Sequence, residues 1–367
     1  MTSLFDPITF GAISAPNRIM MAPLTRGRAT RSHVPTPLMG EYYSQRASAG
    51  LIISEATGIS QQGLGWPGAP GLWSEEQVAA WRPIVRAVHD AGGRIVAQLW
   101  HMGRIVHPDY LGGAQPVSAS ATTAPGKAYT YDGPKPYVES RALDIPEIKK
   151  IISDYKLAAE HAMAAGFDGV QLHAANGYLV DQFLRDGTNR RTDSYGGPVE
   201  NRIRLLIEAA EVLILVAGAD RTGVRLSPND DPQGCGDSDS ESLFTKAAEA
   251  LNGLGIAFLE MRASRPDSTF HAATRQLVPA IRRAFKGTLI LNSDYLLDDA
   301  SQALRVGEAD AIAFGRTFLA NPDLPARFAK RASLNPPNPT TFYTPGPAGY
   351  TDYPTYVADG AMRDLLS

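Results

Sequence analysis

The sequence predicts an α/β fold, a (β/α)8 TIM barrel in one domain over residues 1–367. Three observations carry that prediction. Short, nearly continuous apolar runs alternate with helix-period segments, as expected when parallel strands are buried on both faces. There are eight such runs, the number that closes a barrel. Polar side chains gather just past the ends of several runs, where such barrels carry their chemistry.

Residues 8–13, with Phe10-Gly11 at the bend, read as a small hairpin closing the barrel bottom. The strands are expected at 18–23, 51–56, 94–99, 169–173, 222–226, 256–261, 288–291 and 310–314. The clearest helix is 146–165, where Ile148, Ile151, Ile152, Tyr155, Ala159, Ala162 and Met163 form one stripe. Asp144 stands near its cap, Pro146 suits its first turn and Gly166 stops it. Residues 75–91, 198–216, 241–254, 274–285 and 297–306 read as further helices, and a short one is expected from Pro322. Two stretches break the rhythm. Residues 105–141 are rich in Gly, Pro, Ser, Thr and Tyr and follow the third strand. They read as a capping loop or subdomain over the mouth, with a disordered insertion as the alternative. Residues 333–367 read as a C-terminal tail, Pro/Gly/Tyr-rich up to 356.

Composition excludes several classes. The chain is 44% hydrophobic and 20% charged with a formal net charge of -3, so nothing attracts nucleic acid. One cysteine, Cys235, allows no internal disulfide and fits a reducing, cytoplasmic location. The N-terminus lacks a signal-peptide pattern, and no apolar run approaches the ~20 residues needed to span a membrane. A monomer or homodimer is expected.

The strand ends bring together Thr25, Gln98, His173, Asn176, Tyr178, Arg225 and Arg316. The set is rich in donors and poor in carboxylates, which suits an electron-rich organic cofactor better than a metal. His173 and Asn176 offer two donors to one oxygen, and Tyr178 offers a proton. Arg316 after Gly315 stands where barrels of this kind bind phosphate. Gly63-Leu64-Gly65-Trp66-Pro67-Gly68 matches the dinucleotide glycine pattern by letter, but Pro67 and the irregular stretch after it deny the strand-turn-helix context. His173 has no second metal ligand at suitable spacing. Cys235 has no histidine partner. Trp66, Trp100 and the late tyrosines read either as core or as pocket wall.

Five segments in order resemble the old yellow enzyme family of flavin-dependent ene-reductases, closest to its bacterial maleimide- and nitrate ester-reducing branch. They are Met21-Ala22-Pro23-Leu24-Thr25-Arg26, Gln98-Leu99-Trp100-His101, His173-Ala174-Ala175-Asn176-Gly177-Tyr178-Leu179, Arg190-Arg191-Thr192-Asp193-Ser194-Tyr195-Gly196-Gly197 and Phe314-Gly315-Arg316. The resemblance extends to Gly349-Tyr350 near the end. It implies tightly but non-covalently bound FMN, reduced by NADPH or NADH, and an electron-poor alkene as the second substrate. It places Pro23, Leu24, Thr25, Ala56, Gln98 and Arg225 around the flavin ring, and Ser293, Gly315 and Arg316 at the phosphate. It assigns the substrate oxygen to His173 and Asn176, the proton to Tyr178 and the pocket walls to Trp66, Trp100 and Tyr350. Asn292-Ser293-Asp294 departs from the family, which usually has glycine at Ser293. A positive φ there would strain serine, and Asp294 would repel a phosphate. A non-redox phosphate-binding barrel enzyme and a flavin-binding redox sensor are the alternatives.

Overall fold

The computed structural model describes residues 2–228, 231–262 and 277–356. Within them eight parallel strands form a closed ring: β1 Ile19–Met21, β2 Ile52–Ile53, β3 Ile95–Trp100, β4 Gly169–Ala174, β5 Thr222–Leu226, β6 Phe258–Arg262, β7 Thr288–Asn292 and β8 Ala311–Phe314. Each strand pairs with the next, and β8 returns to β1. The main helices are α1 Pro37–Ser44, α2 Glu75–Asp90, α3 Ile145–Ala165, α4 Arg204–Ala217, α5 Ser240–Gly253, α6 Leu277–Ala284, α7 Leu297–Arg305 and α8 Leu324–Lys330. The expected barrel is borne out.

Local chemistry explains the best-defined helices. α2 and α3 each begin with a reciprocal capping box, Ser74 with Gln77 and Asp144 with Glu147. α3 ends at Gly166, whose φ of 97° a side chain would oppose. The helices pack their apolar stripes on the outer faces of the strands in one large core. A second, smaller core fills the lower lumen, where the hairpin Ile8–Phe10/Ile13–Ala15 pushes Phe10 edge-on against Phe258 at 5.8 Å. The upper lumen is polar instead. Gln98, Gln171, Arg225, Glu260 and Asn292 are all buried there.

Several expectations shift. Strand two is short because Ser54 and Glu55 turn polar, and the buried Glu55 carboxylate accepts from the Arg26 and Gly27 amides. The helix expected over 198–216 breaks at Ile203 into Val199–Arg202 and α4. α1 was not expected at all: it has no side-chain cap, and its buried residues include a glycine and two tyrosines. Of the expected 274–285 helix, residues 274–276 lie outside the described residues, as do 357–367 of the tail. The 105–141 excursion is folded. It carries the hairpin Lys127–Thr130/Gly133–Pro136 and ties Val117–Ser118 to Arg141–Ala142. No described helix is long and apolar enough to cross a membrane.

Candidate active site

The loops above the C-terminal strand ends frame a cleft of about 500 Å³, within the range of cofactor and small-molecule sites. Pro23, Leu24 and Thr25 reach it from β1, Asn176 and Tyr178 from beyond β4, and Arg225 and Arg262 from β5 and β6. Asn292, Ser293, Gly315 and Arg316 form the opposite rim, with Trp66 and Tyr343 on the outer wall. The Thr25 hydroxyl forms no hydrogen bond with another described residue. Ala56, Gln98, Trp100 and His173 are buried, outside the lining of the open cleft.

The β4 end is shaped by an Asn-Gly pair. Asn176 and Gly177 both adopt the left-handed conformation, with φ of 60° and 78°, which asparagine and glycine tolerate best. The turn is clamped from outside. The Asn176 amide donates to Ser227 Oγ at 2.6 Å, and Gly177 donates to Asp181 Oδ2 at 2.8 Å. Asp181 in turn pairs with Arg185 at 2.8 Å, both fully buried. The result presents three side chains together. The His173 and Tyr178 rings meet edge to face at 5.0 Å, and Trp100 contacts Tyr178 at 4.9 Å.

Burial sets the protonation states. Desolvation, with the nearby Arg225 charge, holds His173 well below the usual histidine pKa, so its imidazole is neutral at pH 7. Its Nδ1 is buried without a hydrogen-bond partner. Desolvation also raises the Tyr178 phenol, which stays protonated.

Beneath the cleft a chain of polar side chains crosses the lumen. Gln98 Nε2 donates to Gln171 Oε1 at 2.7 Å, and Gln171 Nε2 donates to Glu260 Oε2 at 2.8 Å. Glu260 Oε1 lies 3.2 Å from Arg225 Nε. Arg225 Nη2 donates to Asn292 Oδ1 at 2.7 Å, and Asn292 Nδ2 donates to the Ala313 carbonyl at 2.7 Å.

Tyr350, expected in the pocket wall, is not there. It is fully buried and stacked on Tyr42 at 4.0 Å, with Arg28 over its ring at 4.6 Å. The tail aromatic that lines the cleft is Tyr343, which packs on Trp66 at 5.2 Å. Ser293 is not among the residues of positive φ, so the strain conditional on that conformation does not arise. Asp294 forms an ion pair with Arg316, which offsets its charge at the phosphate rim. Sequence reasoning missed Arg262 and Glu260. Strand alternation held the signal, since residues 260 and 262 share a face with the strand end.

The decoys resolve physically. A Cβ on Gly63 would meet His101 Cδ2 at 2.5 Å, and one on Gly65 would meet Val106 Cα at 2.8 Å, so these glycines serve packing. Burial pushes the Cys235 thiol up to about 11, which leaves it un-ionised. No metal-binding group of side chains occurs among the described residues. The long Arg190–Gly197 motif is structural: Arg191 donates to the carbonyls of Ala119 and Leu143 and pairs with Asp193.

A barrel mouth whose described lining offers amide and phenol donors and guanidiniums, and no lysine, suits a phosphate-bearing, electron-rich heterocycle. The profile of the NADH:flavin oxidoreductase / NADH oxidase family matches residues 3–335. 12-Oxophytodienoate reductase 2 of Arabidopsis thaliana is 42% identical over 363 residues, covering 96% of this chain and 95% of that protein. The solved old yellow enzyme homologue of Zymomonas mobilis (NCR) is 60% identical with a TM-score of 0.94, over 96% of this chain and 99% of its own. Morphinone reductase, solved with tetrahydroNAD, is 45% identical with a TM-score of 0.93, over 98% and 99%. The chain therefore belongs to the NADH:flavin oxidoreductase / NADH oxidase family and is a flavin-dependent oxidoreductase with an old yellow enzyme barrel. The expected FMN and nicotinamide reductant are borne out by that membership. The residues fit FMN. His173 Nδ1 is buried without a hydrogen-bond partner. A Cβ on Gly315, in the cleft lining, would meet only Leu24 within 4 Å, at 3.5 Å, which leaves room for a ligand against the backbone.

Proposed function

We propose that this protein is an ene-reductase that draws electrons from NADPH or NADH and reduces alkenes activated by a carbonyl or nitro group. Enones, enals, maleimides and nitroalkenes are the substrate class, and nitrate esters extend it. The observation that carries this reading is the group at the end of β4: the Asn176 amide and the protonated Tyr178 phenol in the cleft lining, with the buried, neutral His173 ring 5.0 Å behind Tyr178.

FMN supplies hydride when bound. The chain's own residues do the remainder. Thr25, Gln98 and Arg225 hold the pyrimidine edge of the ring, with Pro23, Leu24 and Ala56 along it. The Arg225 charge favours electron density there. Ser293, Gly315 and Arg316 take the phosphate. His173 and Asn176 donate to the activating oxygen of the substrate, where negative charge develops. Fixed neutral donors of this kind are worth on the order of 3–4 kcal/mol each. Tyr178 gives its proton to the carbon next to the activating group. Trp66, Trp100 and Tyr343 bound the substrate space.

Anaerobic titration tests the proposal. The purified protein should carry a flavin absorbance band that NADPH or NADH bleaches and cyclohexenone, a maleimide or a nitroalkene restores. Bleaching without restoration by any of them would reduce the protein to a flavin-binding redox sensor. A non-redox barrel enzyme is not favoured, because no lysine is among the described residues that line the cleft.

A further inference from the structure

Arg262 ends β6 and lines the cleft, and neither composition nor motif drew attention to it. Its Nη1 donates to Asn176 Oδ1 at 2.9 Å. Guanidinium has donors and no acceptor. An amide facing it must therefore present oxygen, because the reverse orientation would set donor against donor. The rest of Asn176 is held as well. Its backbone amide donates to Ser227 Oγ, and its carbonyl accepts from Gln233 Nε2 at 2.7 Å. Its one uncommitted polar group among the described residues is the Nδ2 amino group, at the cleft wall.

We propose that Arg262 is a positioning residue that locks the Asn176 side chain with its NH2 toward the substrate oxygen. Without Arg262 the amide is free to flip, and in half its orientations it presents a lone pair to an oxygen that is gaining negative charge. The bound guanidinium also polarises the amide and makes its N–H a stronger donor. This inference rests on the reading of Asn176 as a donor to substrate.

A double-mutant cycle on the FMN-loaded enzyme tests it, using Arg262→Met, Asn176→Ala and the double variant, with Arg262→Lys as the conservative rescue. Two quantities are read per bound flavin: the dissociation constant of p-chlorophenol, followed by the flavin spectrum, and the rate at which cyclohexenone reoxidises pre-reduced enzyme. Arg262→Met should weaken both about tenfold, the size of one lost hydrogen bond. Arg262→Lys should recover part of the loss, since it still donates to Oδ1. In the Asn176→Ala background, removing Arg262 should cost almost nothing more. A loss of equal size in both backgrounds, or no loss in either, overturns the proposal, because Arg262 would then act on the ligand directly or not at all. If Asn176→Ala alone leaves both quantities unchanged, the donor reading of Asn176 fails and the proposal falls with it.

Discussion

At the residue scale, three side chains within six positions of sequence gather at the end of β4, two in the cleft lining and His173 buried behind them, and each does so for a separate physical reason. His173 ends an inward strand position, Asn176 takes a left-handed turn, and Tyr178 precedes the short helix Leu179–Leu184. Tyr178→Phe keeps the ring packing on Trp100 and removes the proton. Reoxidation of the reduced flavin by cyclohexenone should slow by about 10²–10⁴-fold, while bleaching by NADPH stays nearly intact. Stopped-flow absorbance separates the two, and an unchanged reoxidation rate removes Tyr178 from the reaction. This triplet was legible in the sequence because its members are neighbours in the chain. Arg262 was not, since its partner stands 86 positions away. Tyr343 was missed for another reason. It lies in irregular chain where no periodicity says which of several tyrosines turns inward, so the reading settled on Tyr350.

At the element scale, the tail is fixed over the mouth by arginines from the loop after β1. Arg26 donates to the carbonyls of Phe342 and Gly349 at 3.1 and 2.6 Å. Arg28 donates to Phe342, Thr341 and Ala348 at 2.7, 3.0 and 3.2 Å. The loop that carries Thr25 thus also positions Tyr343. Arg28→Met strips donors from five carbonyls, those of Arg26, Thr341, Phe342, Gly346 and Ala348, and should destabilise the protein by about 2–4 kcal/mol. It should also raise the KM for bulky enones more than for cyclohexenone, as the Tyr343 wall loosens. Differential scanning calorimetry and a substrate-size series check the two effects, and equal KM changes across the series would separate the tail from the pocket. The strands were legible because burial on both faces writes long apolar runs. α1 was not, because tertiary contacts to α2 rather than caps or an apolar stripe hold it in place.

At the scale of the whole molecule, two buried histidines make stability depend on acid. Burial lowers His101 to about 3 and holds His173 well below its ordinary value. The unfolded chain protonates both near pH 6.5, whereas the folded protein resists. Their stabilisation is therefore present above about pH 6.5 and is lost as pH falls toward the folded values. The slope is about 1.4 kcal/mol per pH unit for each group. Thermal midpoints measured from pH 7.5 to 4.5 should fall, and His101→Gln should flatten part of the decline. A profile identical to wild type would mean that His101 takes up its proton as readily in the folded protein as in the unfolded chain. The polar chain through the upper lumen has its own consequence for anyone redesigning this enzyme. Amide, amide, carboxylate, guanidinium and amide run from β3 to β8 with a single allowed direction of proton donation. Reversing one link, as Gln98→Glu does, sets two acceptors face to face and forces the mismatch onward to the opposite side of the barrel. Substitutions here should therefore be made in matched sets, and the mouth should be retuned at its walls more readily than at its floor.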